Sequence, residues 1–252
     1  MQELLQSVAA SPLQFALACL VAFLASVLGG LSGFGTGLVL PAFLAPLVGV
    51  ANVVPVMAVA MLFNNGSRVV AFRKSIDLEH VRRMLMLGLP ACIAGAYSYT
   101  LLSARWIAVL LGTFLLLSVP LRRLLGKARH HFSTRAEILA GGGFGFLNGG
   151  MSGMGILLIS ILMSVGLSGS TLIATDALVS VIMGAVKVGL FGSLAALDLN
   201  LALTGLLVGF CTAPGAFAAR WLLKRIPAGI HAWVMEVIVV LGAISLLQSA
   251  GG

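Results

Sequence analysis

Charged residues are scarce in this sequence. They make up 9% of its 252 residues, whereas hydrophobic residues make up 60%. A soluble domain has roughly a quarter of its residues charged, because its surface must face water. So few charges cannot cover a water-exposed surface, and apolar runs continue almost to the C-terminus. The sequence therefore predicts a single all-α membrane domain over residues 1–252, with the lipid bilayer as its surroundings.

Several signals of binding chemistry are also missing. No nucleotide-binding loop of the G-x-x-x-x-G-K type occurs, so nucleotide hydrolysis is not the expected driving force. Cys19, Cys92 and Cys211 lie in apolar runs without metal-ligand spacing, which predicts buried thiols and no metal or cofactor. The net charge of +8 comes from short basic clusters rather than from a continuous stripe with interleaved aromatics. This distribution excludes a nucleic-acid partner and indicates loops at an anionic membrane face.

A glycine-rich segment occurs twice in the chain. Gly-Gly-Leu-Ser-Gly-Phe-Gly at 29–35 returns as Gly-Gly-Met-Ser-Gly-Met-Gly at 149–155, an offset of 120 residues (149 − 29). Other landmarks keep nearly the same offset, namely Asp77 with Asp198, Gly88 with Gly209, and Gly95 with Gly215. The sequence therefore predicts two internal repeats, residues 1–125 and 130–252, joined by a basic linker.

Each repeat is predicted to contain one long glycine-broken element followed by three membrane spans. Polar or helix-stopping residues mark the breaks between them. The predicted elements are 12–49, 52–72, 81–102 and 105–122 in the first repeat, and 136–166, 171–195, 199–222 and 229–249 in the second.

Basic residues between the spans predict the topology by the positive-inside rule. They mark cytoplasmic loops at 73–83, at the central linker 122–135 and at 220–225. The loop around Asp198 then lies outside, whereas its counterpart around Asp77 lies inside. The two repeats are therefore predicted to be inverted relative to one another.

The predicted inversion requires each of the two long elements to turn back on itself. The segment 136–166 must begin and end on the cytoplasmic side, so we predict a hairpin of two short helices that turns at its glycines. The segment 12–49 becomes a similar hairpin that starts from the outside. Both glycine-rich tips then point into the membrane interior from opposite sides.

The tips are the predicted chemical site. A turn inside the bilayer survives only where protein or a polar cavity surrounds its backbone groups. The helix after each turn presents free N–H groups and the positive end of its dipole, and Ser32, Thr36 and Ser152 add hydroxyl donors. Such donors suit a small oxyanion. The alternative is that the glycines only allow close helix packing.

These features carry a resemblance to a known family. The duplicated glycine-rich hairpin at Gly29–Gly37 and Gly149–Gly155, the eight-element hydropathy profile and the length resemble the TauE/SafE family of sulfite exporters. The resemblance implies a transporter of sulfite, sulfoacetate, thiosulfate or similar organic acids, with substrate held at the tips. The second copy departs from the first at Ile156, where Thr36 would sit. The implied substrate-binding residues are Ser32, Gly33, Phe34, Gly35 and Thr36, facing Ser152, Gly153, Met154 and Gly155.

Polar residues inside the spans are further functional candidates. Lys187 could attract an anion from the bundle interior or snorkel to an interface, and Asp176 and Glu236 are candidate proton-coupling groups. Asn64 shares a helix face with Arg68 and could donate to a substrate, or both could face headgroups. Asn148 precedes the second tip and could line the site.

We therefore expect a secondary transporter of a small anion in the inner membrane, working by alternating access and driven by a proton or the membrane potential. The sequence leaves the oligomeric state open and allows a homodimer. A passive anion channel is the main alternative. An intramembrane serine protease is more remote: Gly-x-Ser-Gly occurs at Ser32 and Ser152, but no histidine is predicted mid-span to serve as base.

Overall fold

The computed structural model describes residues 19–27, 35–125 and 132–222, together with scattered positions within 237–248. In these parts of the chain the regular structure is helical, without strands, which confirms the predicted all-α fold. Residues 19–27 are helical. The helices that follow are α1 (Gly35–Val48), α2 (Val53–Phe72), α3 (Leu78–Thr100), α4 (Ala104–Leu125), α5 (Thr134–Gly150), α6 (Gly155–Ser164), α7 (Gly169–Ser193) and α8 (Leu199–Leu222). Short 3-10 turns at Val50–Asn52 and Arg73–Ser75 flank α2.

The observed spans begin and end within three residues of the predictions 52–72, 81–102, 105–122, 171–195 and 199–222. Among the described residues, three helical stretches are long and apolar enough to cross a membrane, namely Val50–Ser75, Ala104–Leu121 and Gly169–Ser193. The predicted span 229–249 lies largely outside the described residues. A chain with these helices and this composition is a membrane protein.

The two aspartates that mark the repeat have the same structural role. Asp77 Oδ1 accepts hydrogen bonds from the N–H groups of Glu79 (3.1 Å) and His80 (3.2 Å) at the start of α3. Asp198 Oδ1 accepts one from Leu201 N–H (2.8 Å) at the start of α8. Each carboxylate satisfies backbone donors that the first helical turn leaves unpaired. The recurrence of aspartate therefore has a local physical reason.

The long segment 136–166 is a hairpin, as predicted. It divides into α5, of 17 residues, and α6, of 10 residues, with a break at residues 151–154. Phe132 N–H donates to Ser164 O over 3.0 Å, so the start of the hairpin lies beside its end. Both ends therefore lie on the same side of the helix bundle.

The first long element, 12–49, is described only in part. Its helical residues 19–27 and the helix α1 are joined by a hydrogen bond from Thr36 Oγ1 to Ala25 O (3.2 Å). The tip between them, including Ser32, Gly33 and Phe34, lies outside the described residues.

Helices α3 and α5 form the most extensive interface among the described elements. They run parallel, because Met84 lies against Gly141, Gly88 against Gly145 and Cys92 against Gly149. A Cβ atom on Gly145 would lie 2.7 Å from Gly88 Cα, so the two backbones touch. Small residues allow this approach, which increases van der Waals contact between helices in a membrane.

Helices α2 and α7 cross at the centre of the described bundle and run antiparallel. Leu62 lies against Gly184, whereas Arg68, further along α2, meets Asp176, which comes earlier in α7. Each of the two also packs on one helix from the other half of the chain, α2 on α8 and α7 on α3. The central pair therefore connects the two halves, as the α3–α5 interface also does.

Candidate functional site

The second glycine break is fully described and lies inside the protein. Gly153 has a φ of +86°, a left-handed conformation that favours glycine because it lacks a Cβ atom. Ser152 and Met154 are buried on either side of it. Gly149, just before the break, lies against Cys92 and Ala96 of α3. The break is therefore level with the second half of α3.

The second break touches the first glycine-rich hairpin. Ser152 Oγ donates to Gly37 O over 3.2 Å. A Cβ atom on Gly37 would lie 3.0 Å from Gly153 Cα, so glycine is needed on both sides of this contact. The structure thus brings α1, which follows the first tip, against the second tip. The hydroxyl of Ser152 is engaged with a protein carbonyl in this conformation.

Lys187 lies at the same break. Its Nζ donates to Asn148 O (2.7 Å) and Met151 O (3.4 Å), and the residue is only 6% exposed. These carbonyls belong to the C-terminal end of α5, where the helix dipole is negative. Lys187 therefore faces the bundle interior rather than a lipid headgroup region. The amide of Asn148 donates to Met183 Sδ (3.6 Å), which keeps this side chain on the α7 side of the break.

Helix α6 begins at the break without a side-chain cap. Met154 is its N-cap residue, makes no capping hydrogen bond and is 1% exposed. The first N–H groups of a helix have no partner within the helix, and they carry the positive end of its dipole. Gly155 opens this first turn and keeps it free of a side chain. The break therefore combines an uncapped helix N-terminus with a buried ammonium group, both favourable to an anion.

The remaining predicted tip residues lie in different surroundings. Thr36 is buried and its hydroxyl donates to Ala25 O, so it joins the two arms of the first hairpin. Gly35 is the first residue of α1. Ile156, at the position equivalent to Thr36, is buried in α6. The candidate Glu236 lies outside the described residues.

A second polar site lies between α2 and α7. Arg68 pairs with Asp176 Oδ2 at 3.0 Å and also donates to Asn65 Oδ1 (3.3 Å). Asp176 is 1% exposed, and its other oxygen, Oδ1, has no hydrogen-bond partner among the residues that the structure describes. Asn64 is buried with its amide directed at Met61 Sδ (4.0 Å). Asp176 is eleven residues from Lys187, about 16 Å along α7, so the two polar sites are separate.

A third group of charges was not identified from the sequence. Glu137 is completely buried in the first turn of α5, where Oε1 lies 2.6 Å from His80 Nδ1 and Oε2 accepts from Arg83 (3.3 Å). Arg83 also pairs with Glu79. The sequence does contain a signal, since Glu137 is an acidic residue within the predicted segment 136–166. Its partners come from a helix more than fifty positions earlier.

A broken helical hairpin whose helix ends and buried charge meet inside a membrane bundle is typical of secondary transporters. This fold and this site are therefore those expected of a small-solute membrane transport protein. The profile of the family described as "Sulfite exporter TauE/SafE" matches residues 18–246, so the chain belongs to this family. No curated protein and no solved structure matches the chain. Members of the family are transporters rather than enzymes, which agrees with the expectation of a non-enzymatic anion transport protein.

Proposed function

We propose that this protein is a secondary transporter of a small sulfur-containing or carboxylic oxyanion, and that the anion binds at the second glycine break. The observation that carries the proposal is the uncapped N-terminus of α6, which follows the buried Met154 and, before it, Gly153, the residue that lies against Gly37 of α1. Sulfite, thiosulfate and sulfoacetate are the substrates to test first. Each carries oxygens that can accept hydrogen bonds from backbone N–H groups.

Lys187 supplies the charge in this proposal. In the described conformation its ammonium group donates two hydrogen bonds, to the carbonyls of Asn148 and Met151. Because Met151 is the first residue of the same break, this ammonium group supplies a positive charge there for a bound anion. Ser152 would contribute its hydroxyl when the contact with Gly37 opens. Binding and release would thus depend on how closely the two hairpins meet.

The proposed mechanism is alternating access between inverted repeats. Two facts support it. Helices α2 and α7 occupy equivalent positions in the predicted repeats and run antiparallel, as inversion requires. The repeated glycines also have equivalent neighbours: Gly88 lies against Met183, and Gly209 lies against Phe63, which is 120 residues before Met183. A movement of one repeat against the other would open the break to each side in turn.

The orientation follows from the same contacts. Helices α3 and α5 run parallel, so their first residues lie at one side of the bundle. The basic loops 73–83 and 122–135 precede or include these first residues. The positive-inside rule then assigns this side to the cytoplasm, and we propose the inner membrane as the location.

The experiment is uptake of radiolabelled sulfite, thiosulfate and sulfoacetate into proteoliposomes that contain the purified protein. The test variant is Gly153→Ala, whose new Cβ would lie 2.7 Å from Leu38 Cδ2 and would strain a φ of +86°. A strain of about 1–3 kcal/mol is expected for a non-glycine residue in this conformation, so uptake should fall by about tenfold or more. The matched control is Gly143→Ala in α5, where the added Cβ meets nothing within 4 Å.

Normal uptake by a correctly folded Gly153→Ala protein would exclude the break from the substrate site. Counterflow separates a carrier from the channel alternative, because only a carrier exchanges preloaded unlabelled substrate for labelled substrate and so accumulates the label transiently. For the protease alternative, Ser152 lies far along the hairpin from His80, whose ring is bonded to Glu137. The other three histidines lie outside the described residues.

A further inference from the structure

The buried ion pair between α2 and α7 is not needed to bind an anion at the break, about 16 Å away along α7. It nevertheless joins α2 and α7, which come from different halves of the protein. Asp176 comes from α7 and Arg68 from α2, 108 positions apart in the sequence (176 − 68). A sliding or separation of α2 against α7 would change the distance between these two side chains.

The carboxylate of this pair is only half satisfied. Asp176 Oδ2 receives the guanidinium of Arg68, whereas Oδ1 is buried with no hydrogen-bond partner among the described residues. A buried ionised carboxylate is costly unless each oxygen has a partner, and neutralisation removes that cost. Protonation of Oδ1 forms one O–H bond, converts the carboxylate to a neutral acid and weakens its attraction to Arg68. No other chemical change is required.

The helices packed around Asp176 bring few competing charges. From α3, Asp77 N–H donates to Thr175 Oγ1 (3.1 Å), but the Asp77 carboxylate caps its own helix. Arg73 and Lys74, in the 3-10 turn that contacts α7, are exposed. Helix α6 carries no charged residue. Arg68 is therefore the charged side chain in direct contact with Asp176.

The more distant charges are engaged elsewhere. On α3 and α5, His80 and Arg83 are bonded to Glu137, and Arg83 also to Glu79. On α7 itself, Lys187 is bonded to the carbonyls of the break. These groups are already partnered, which leaves the open oxygen of Asp176 as the site available to a mobile proton.

We propose that Asp176 binds the proton that drives transport, and that its pairing with Arg68 holds α2 against α7 when the proton is absent. This inference rests on the proposed function, because it assigns the driving ion to that transporter. Helix α7 carries both Asp176 and Lys187. A shift of α7 on release of Arg68 therefore reaches the break, where Lys187 holds the carbonyls of Asn148 and Met151.

The test compares two transport assays in proteoliposomes with radiolabelled sulfite and thiosulfate. Counterflow needs substrate exchange but no net proton movement, whereas accumulation under an imposed pH gradient needs coupling. A gradient of one pH unit supports about tenfold accumulation per coupled proton. The wild-type protein should show both activities. Asp176→Asn should keep counterflow and lose gradient-driven accumulation, and an internal pH dye should show loss of anion-dependent proton movement.

The substitution Asp176→Asn leaves Arg68 without its carboxylate partner, so a second variant controls for a folding defect. The double variant Arg68→Gln with Asp176→Asn removes both charges, and it should likewise retain counterflow without accumulation. Accumulation and proton movement at wild-type levels in Asp176→Asn would overturn the inference, as would loss of counterflow in the double variant. Wild-type counterflow without accumulation under an imposed pH gradient would overturn the inference and leave the proposed function standing. Absence of wild-type counterflow would instead contradict the proposed function.

Discussion

The α3–α5 and α2–α7 interfaces both contain a buried carboxylate, but they are built differently. Between α3 and α5 the backbones touch through glycines, and both oxygens of Glu137 have partners. Between α2 and α7 the contact at Gly184 is made by the Leu62 side chain, and Asp176 has one unpartnered oxygen. Backbone contacts cannot adjust, whereas side chains can. The comparison indicates that the α3–α5 contact is the more rigid of the two and that side chains can adjust between α2 and α7.

The strongest test of this difference is Gly145→Val in α5. The new Cβ atom would overlap backbone atoms of Gly88, which no rotamer change can move away. We expect the free energy of unfolding to fall by about 3 kcal/mol or more. Unfolding in mixed detergent micelles measures this, with Gly143→Val as the control because a Cβ there meets nothing within 4 Å. Equal stability of the two variants would show that the α3–α5 contact is not tight.

A smaller effect is expected at the charged end of the same interface. Glu137→Ala removes the partner of both His80 and Arg83, and we expect a loss of about 2 kcal/mol. Glu79→Ala removes a carboxylate that pairs with the same Arg83 but is 69% exposed, so its loss should be about 0.5 kcal/mol or less. The same unfolding measurement compares the two. Similar losses in the free energy of unfolding would mean that the buried Glu137 stabilises the interface no more than the exposed Glu79 does.

The smallest effect is expected at the centre of the α2–α7 interface. In Gly184→Ala the new Cβ atom would lie 3.1 Å from Leu62 Cδ2, the end of a flexible side chain. Leu62 can turn aside, and alanine is the better helix former by about 1 kcal/mol. The free energy of unfolding should therefore change by less than about 1 kcal/mol in either direction. A loss as large as that of Gly145→Val would remove the distinction between the interfaces.

The helices could be predicted from the sequence because their causes are local. Apolar length determines where a span lies, and polar residues such as Asp77 and Asp198 mark where helices begin. The hairpin over 136–166 was predictable from loop charges alone, since a segment with both ends on one side must turn back. Membership of the TauE/SafE family, suggested by the repeated glycine segment, is confirmed by the match over residues 18–246.

The polar pairings could not be predicted because they join distant parts of the chain. Arg68 shares a helix face with Asn64 in the sequence, yet in the structure its carboxylate partner is Asp176. His80 lies at the edge of a predicted loop, and only the packing of α3 on α5 brings it to Glu137. The sequence identified Lys187 as a candidate but not its neighbours. The packing of α7 places its Nζ at the second break. The roles of Ser152 and Lys187 in binding stay predictions.

The short helix α6 also affects how the protein responds to its lipid surroundings. Its ten residues cover about 15 Å, half of a hydrocarbon layer about 30 Å thick. Gly153, just before α6, is covered by Gly37 and Leu38 of α1. Hydrophobic mismatch in a thicker or thinner bilayer would therefore act on full-length spans such as α2 and α7. We therefore expect a change in bilayer thickness to alter the conformation of the break through these longer helices.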